Sequence, residues 1–298
     1  MKAPDLAGYR VVAVHAHPDD ESITMGGTLY DLSQRGAEVT VVTCTLGEQG
    51  EVIGEAYQEL VADKADLLGG FRIAELNQAL QLLGVRGVHL GEPGAFRDSG
   101  MAGDPANTNP RAFIHRGEDA VRALTDLLGE LRPHVLLTYG PDGGYGHPDH
   151  IQAHRITMEA SRQVHTPRVL WSVRTRADLA AGLESITVVP EGWTIPSVDE
   201  LDSVDTVDLH VRLTPQAWWH KKEAMKAHAT QLWIADGSMS HTNPHSAYAA
   251  TDNPQLVPAV YALSNLLAQP LLTVESFLLG AGVPLPEKAT GVLDGLER

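Results

Sequence analysis

A mostly parallel, Rossmann-like layered α/β fold with a smaller C-terminal lobe is the architecture this sequence predicts. Three observations predict it. Short β-branched runs recur, each bounded by glycine or polar residues. Helical stretches separate them, and the first strand–helix–strand unit fits within residues 10–45, the length a parallel crossover needs. Charged and polar clusters follow three of the strands, which is where open α/β sheets bind their ligands.

The elements follow in order. "RVVAVHAH" (Arg10–His17) predicts a buried strand, and "SITMGGTLYDLSQRG" (Ser22–Gly36) a helix stopped by Gly36. "AEVTVVTCT" (Ala37–Thr45) predicts the second strand. Two helical stretches lie between Ala56 and Gly84, with "LLGG" (Leu67–Gly70) as the break, and "GVHLG" (Gly87–Gly91) is a short strand. Arg111–Leu131 contains a helix, "HVLLTYG" (His134–Gly140) is a strand, His150–Val164 is helical, and "RVLWSV" (Arg168–Val173) is a strand. Strands alternating with helices imply layered α/β packing.

Beyond about Asp178 the pattern loosens. Val188–Asp202 is a Pro-containing connection, and "DTVDLHV" (Asp205–Val211) is a strand with alternate residues facing water. Thr214 followed by Pro215 opens a helix toward Gln231, and His241–Pro254 is loop. Residues 1–178 are therefore expected to form the core, and residues 179–298 a lobe packed on it that completes the substrate pocket.

Composition narrows the function. With 298 residues, 43% of them hydrophobic, the chain can bury one large core. A net charge of −16 lacks the basic footprint of a nucleic-acid binder and disfavours anionic membranes. No apolar run approaches the roughly 20 residues of a membrane span. The amino-terminal "MKAPDLAGYR" has no apolar centre for a signal peptide, so a cytoplasmic protein is expected. The one cysteine, Cys44, permits neither an internal disulfide nor a CxxC metal site and reads as a small buried side chain. His15 reads as a packed histidine. Oligomeric state is left open, a homo-oligomer included.

The strand-end clusters are "HAHPDDE" (His15–Glu21), "TLGEQGE" (Thr45–Glu51) and "YGPDGGYGHPDH" (Tyr139–His150). His17 and Asp20 are three apart, with Pro18 fixing the turn between them. If Asp20 opens the helix, its carboxylate can point back beside His17, and His150 can supply a third ligand. Two histidines, one carboxylate and a water make a common catalytic zinc set. Iron(II) or another divalent ion fits the same donors. A dinucleotide-binding module is disfavoured, because GxGxxG is missing after the first strand and acidic residues stand there instead.

"AHPDDE" with a later "GHPDH" resembles the zinc-dependent N-acetylglucosaminyl deacetylase family, also called PIG-L or LmbE-like. The likeness covers most of the chain. "VVTCTLGEQGEVIG", "LGGFRIAEL", "FRDSGMAG", "LRPHVLLTYGPDGGYGHPDH" and "AHATQ" are similar to the actinobacterial branch of mycothiol metabolism, above all to deacetylases of a GlcNAc–inositol intermediate. The resemblance implies His17, Asp20 and His150 as zinc ligands and Asp19 as general base. It implies His147 as acid to the departing amine or as partner to the developing oxyanion. Asp149 would orient a histidine, and Tyr145 would donate to the oxyanion. Arg72 and Asp98 match positions that contact the sugar and its attached group. Glu51, on the loop after the second strand, is expected to join them, and Met101 to pack on an apolar sugar face. The partner implied is a small amino-sugar conjugate. Thr24 and Gly146 stand where relatives that cleave mycothiol S-conjugates tend to carry Lys and Pro, and the long C-terminal third sets the chain apart from shorter GlcNAc–malate deacetylases. His228, within "AHATQ", receives no chemical role and is expected to pin a helix.

Overall fold

The computed structural model describes residues 5–298; the first four residues of the amino-terminal stretch discussed above lie outside it. The first half alternates strand and helix: β1 (Arg10–His15), α1 (Asp20–Gln34), β2 (Glu38–Thr43), α2 (Leu68–Leu83), β3 (Arg86–His89), α3 (Gly117–Leu131) and β4 (Val135–Tyr139). A single turn α4 (Gly143–Gly146), α5 (Pro148–Gln163), β5 (Arg168–Val173) and α6 (Arg176–Glu184) follow. The remainder holds β6 (Ile186–Val188), β7 (Leu209–Arg212), α7 (Pro215–Ala227), β8 (Trp233–Ile234), β9 (Ala250–Thr251), β10 (Ala259–Ala262), β11 (Gln269–Leu271) and β12 (Val274–Gly282).

One seven-stranded sheet, ordered β3-β2-β1-β4-β5-β12-β7, forms the centre. Its first five strands are parallel, while β12 runs antiparallel to β5 and to β7. Alternation in the strands explains the layers. Val11, Ala13, Val39, Val41, Val135 and Leu137 face one side, packed with α1, α2 and α7. Val12, Val14, Val42 and Leu136 face the other, packed with α3 and α5. Both faces are covered, so these strands read as continuous apolar runs. Each fully buried Val or Leu contributes about 1.5–3 kcal/mol relative to an exposed one. The C-terminal region adds a three-stranded sheet, β11-β10-β8, and the pair β6-β9, around cores of its own.

The segment from Ala56 to Gly70 departs from the sequence reading. Its first expected helix is only a 3-10 turn at Gln58–Leu60, entered through Tyr57 in the left-handed region. "LLGG" opens α2 instead of breaking it. A Cβ on Gly69 would come within 2.7 Å of the Glu48 side chain, so the glycine serves close packing inside the first turn. The expected loop after His241 also contains β9, which pairs with β6.

Helix α1 is not continuous. Met25 leaves the helical region, freeing the amides of Gly27 and Thr28. Both donate to the carboxylate of Glu275, on β12, at 3.0 and 2.8 Å, and Lys221 on α7 pairs with the same carboxylate at 2.7 Å. The break lets the first turn of α1 set its own direction over the sheet edge.

Candidate metal centre and active site

β1 and β4 are neighbours, and the chain leaves them in opposite directions, toward β2 and β5. A crevice opens at such a reversal, beyond the carboxyl ends of the two strands. The "HAHPDDE" and "YGPDGGYGHPDH" clusters meet there.

On the β1 side, Asp20 begins α1 and its Oδ2 turns back to accept the His17 amide at 3.0 Å. Asp19, immediately before Asp20, is held at φ 117°, ψ −33°, which is costly for a residue other than glycine. On the β4 side, Gly143, Gly144 and Gly146 all have positive φ. At Gly143 a Cβ would lie 2.8 Å from the Ile151 amide nitrogen and from the His150 Cβ, so only glycine lets the turn close on α5. The His150 Nδ1–H donates to the Gly143 carbonyl at 3.0 Å, leaving Nε2 with a free lone pair.

These turns bring three donor atoms together. His17 Nδ1 and His150 Nε2 are 3.2 Å apart, His150 Nε2 and Asp20 Oδ2 3.4 Å, and His17 Nδ1 and Asp20 Oδ2 3.5 Å. Ligands bound at about 2.0–2.2 Å in a tetrahedron stand roughly 3.4 Å apart, so the three atoms fit the corners of one zinc-like site. Two other groupings share His17: one adds His147 and His150, the other Asp98 and Asp149. In the first, His147 Nδ1 is already taken by the Asp149 amide, at 3.1 Å. In the second, only one histidine takes part, and Asp149 Oδ2 and Asp98 Oδ1 accept the amides of Ser99 and Gly100, each at 2.8 Å. The Asp20 set combines two histidines and a carboxylate with all three spacings at 3.2–3.5 Å.

Asp149 and Asp98 instead face the far side of His17. Asp149 Oδ2 lies 3.3 Å and Asp98 Oδ1 3.6 Å from His17 Nε2. A carboxylate on that nitrogen fixes the ring and strengthens its other nitrogen as a ligand. Burial opposes a charge on His17, but Asp98, Asp149 and Asp20 outweigh it and hold the imidazole well above the ordinary histidine value. For Asp20 too, burial is outweighed, by His150 and His17, and its carboxyl stays well below the usual range. The excess of buried carboxylates suits a divalent cation.

Asp19 is 8% exposed and its carboxylate makes no cap to α1. Its Oδ2 lies 3.2 Å from Arg72, and burial pushes its carboxyl up to about 6, with Arg72 acting against the shift. Arg72, expected against the sugar, is 2% exposed; its guanidinium donates to the carbonyls of Pro18 and Gly47. Asp98, expected there too, is buried, and its Oδ2 accepts Gln49 N–H at 3.1 Å. Glu51 is exposed and lines an open groove of about 1510 Å³ with Gln49, Lys64, Arg97 and Arg111. Met101 is 50% exposed in the loop following Asp98. His147 caps α5 and is lowered by burial, and then by His17 and His150, to about 3. Tyr145 is 59% exposed, with its ring edge-on to His150 at 5.0 Å.

Sequence reasoning missed Tyr139. Its buried hydroxyl donates to Asp20 Oδ2 at 2.6 Å and accepts Ala16 N–H at 2.8 Å, while its ring stacks on His150 at 4.2 Å. The available signal was one tyrosine at the carboxyl end of an otherwise aliphatic strand. Glu21 was also passed over, although it is fully buried; its Oε1 accepts from His228 at 2.8 Å and its Oε2 accepts the Asp19 amide at 3.0 Å. His15 and Cys44 are buried, and neither ring nitrogen of His15 has a hydrogen-bond partner among the described residues.

Residues 12–161 match the family model described as PIG-L: GlcNAc-PI de-N-acetylase. A protein of Corynebacterium glutamicum (strain R), named 1D-myo-inositol 2-acetamido-2-deoxy-alpha-D-glucopyranoside deacetylase, is 62% identical over 297 residues, covering 100% of both chains. A protein of the same name from Rhodococcus erythropolis is 44% identical, covering 97% of this chain and 95% of its own. Among solved structures, a deacetylase–teicoplanin complex aligns with a TM-score of 0.52 at 16% identity, over 91% of this chain and 99% of that one. At that identity the likeness concerns the fold.

Proposed function

This chain belongs to the PIG-L family of GlcNAc-PI de-N-acetylases, and from that membership we propose that it hydrolyses the acetamide of a GlcNAc–inositol, releasing acetate and the free amino sugar. The observation that carries the chemistry is the trio His17 Nδ1, Asp20 Oδ2 and His150 Nε2 at 3.2–3.5 Å from one another, with Asp19 beside it on Arg72. The substrate rests on the named relatives, the closest in identity of those described above matching over the whole chain.

A divalent cation, zinc by this donor set, would lower the pKa of a bound water toward ~7 and polarise the acetamide carbonyl. The chain's own residues do the rest. Asp19, ionised at neutral pH with a conjugate acid near 6, accepts the proton of the attacking water at its carboxylate. Arg72 holds that carboxylate and the Pro18 carbonyl in place, a positioning role that its burial supports. His147 Nδ1 accepts the Asp149 amide, so the proton of the neutral ring sits on Nε2. That N–H donates to the carbonyl oxygen as it gains charge. A donor set in advance at this position contributes about 3–4 kcal/mol to the transition state. The departing nitrogen then takes the proton held by Asp19. Asp149 keeps His17 oriented, and Tyr145, at the exposed rim beside His150, donates its hydroxyl to the developing oxyanion. Glu51, Met101 and the groove beyond them face the remainder of the conjugate.

Amine release is measured on GlcNAc–inositol, GlcNAc–malate, free GlcNAc and a mycothiol S-conjugate, with metal content determined on the same sample. Preference for GlcNAc–inositol, abolished by chelation, is expected. Faster turnover of GlcNAc–malate or free GlcNAc would remove the inositol assignment. No metal and no release would remove the enzyme reading.

A further inference from the structure

Asp19 adopts a backbone conformation that its own side chain disfavours, and something must hold it there. The α1 cap does not, because Asp19 makes no capping hydrogen bond through its side chain. Its amide instead donates to Glu21 Oε2 at 3.0 Å. Glu21 is fully buried, and its other oxygen accepts from the Ser22 hydroxyl at 2.6 Å and from His228 Nε2 at 2.8 Å. His228 is also fully buried and ends α7. Two residues on, Thr230 donates through its amide and hydroxyl to Glu75 of α2, at 2.8 and 2.6 Å. Gln231 Nε2 donates to the Glu51 carbonyl at 2.9 Å. The "AHATQ" stretch thus ties the end of α7 to the first turn of α1, to α2 and to the loop after β2.

We propose that His228 and Glu21 are positioning residues for the general base: His228 fixes the Glu21 carboxylate, Glu21 fixes the Asp19 amide, and the Asp19 carboxylate is thereby aimed at the attacking water. The inference rests on the reading of Asp19 as the base. Burial makes the arrangement rigid, since neither Glu21 nor His228 can exchange its partner for water. Arg72 acts on the Asp19 carboxylate from one side and Glu21 on its backbone from the other. His228, far from the metal ligands in chain order, then acts on the step they serve.

Four variants test it: H228L, which fills the volume without a donor; H228Q, which keeps one; T230V, which loosens the same stretch away from Asp19; and D19N. Metal per chain, kcat, KM and thermal stability are measured on each. H228L is expected to keep its metal and a KM within about twofold, and to lose about 10–100-fold in kcat. H228Q should recover most of that loss, and T230V should lower stability with kcat unchanged. Wild-type kcat in H228L, no recovery in H228Q, or an equal kcat loss in T230V overturns the proposal. If H228L does not fold, E21Q replaces it, since a glutamine offers one acceptor oxygen to the three donors now on Glu21. A several-fold fall in kcat is then expected, and an unchanged kcat overturns the proposal. D19N separates the two readings. If D19N retains turnover, Asp19 is not the base and the proposal falls with it; if D19N is inactive while H228L is not, only the positioning role fails.

Discussion

Replacing Tyr139 with Phe removes one oxygen atom from a position where it does two jobs. The hydroxyl donates to the ionised Asp20 at 2.6 Å and accepts the Ala16 amide at 2.8 Å, all within the buried interior. A hydrogen bond to a charged group contributes about 1.5–3 kcal/mol, and a buried amide left without a partner costs about 1–3 kcal/mol. The ring remains, so its stacking on His150 survives. Relaxation recovers part of the loss, and a net destabilisation of about 2–4 kcal/mol is expected for the metal-free protein. For 298 residues the unfolding entropy is roughly 0.6 kcal/mol/K, which converts this to a Tm lower by about 3–6 °C. Freed from its clamp, Asp20 should bind metal about 10–100-fold more weakly, or about 1.4–2.7 kcal/mol. Competition with a chromophoric chelator gives the affinity, and calorimetry with and without metal gives the stability. A metal Kd within twofold of wild type, with a Tm within 1 °C, would refute the view that Tyr139 holds Asp20 as a ligand.

Further expectations concern the site and its supports. Asp19→Ala should bind metal normally and lose most turnover, whereas His17→Ala and Asp20→Ala should lose the metal itself; equal metal loss in all three, by elemental analysis, would merge the roles assigned here. Glu275→Ala strands Lys221 in the interior and uncaps the second half of α1, so about 3–5 kcal/mol, or roughly 5–8 °C in Tm, should be lost. A shift under 1 °C would show the break in α1 to be self-supporting. The Glu21–His228 pair also sets a pH dependence. Burial opposes the charge on His228 but Glu21 outweighs it, so its folded value lies above its ordinary 6.5. Its contribution to stability is full below 6.5 and is lost as pH rises through the folded value. Burial likewise opposes Glu21, but His228 and Ser22 hold its folded value below its ordinary 4.5, so its share is present above 4.5 and fades as pH falls through that lower value. The Tm difference between wild type and H228Q should therefore shrink at alkaline pH; a difference that grows there would contradict the sign.

The parallel core was legible because its strands are buried on both faces, so "RVVAVH" and "VLLTY" carry an apolar signal without interruption. The charged residues after them were legible for the opposite reason: nothing in strand packing calls for His17, Asp19 and Asp20 together. Tyr139 escaped because a tyrosine ending a buried strand looks like core, and its hydroxyl declares itself only when Asp20, far away in sequence, arrives beside it. Arg72 shows a different limit. The resemblance places it near the site, but only packing against Gly47 reveals that the guanidinium faces inward: a Cβ on that glycine would fall 2.0 Å from Arg72 Nη1. The 3-10 turn at Gln58–Leu60 and the antiparallel β12 depend on partners distant in the chain, which local periodicity does not report.

The place of β12 has a consequence for how the molecule is made. A ribosome delivers β5 about a hundred residues before the strand that pairs with its outer edge. Until β12 emerges, that edge presents unpaired amides and carbonyls, and until α7 emerges, α1 and α2 lack its cover. The nascent amino-terminal half therefore carries an open sheet edge and a bare apolar face while the rest is synthesised, conditions that favour capture by chaperones or by a second copy. Closing the sheet across so long a stretch of chain also makes the final docking slow relative to the local strand–helix units. Expression of residues 1–178 alone should accordingly yield aggregated chain, even though every proposed metal ligand is present in it.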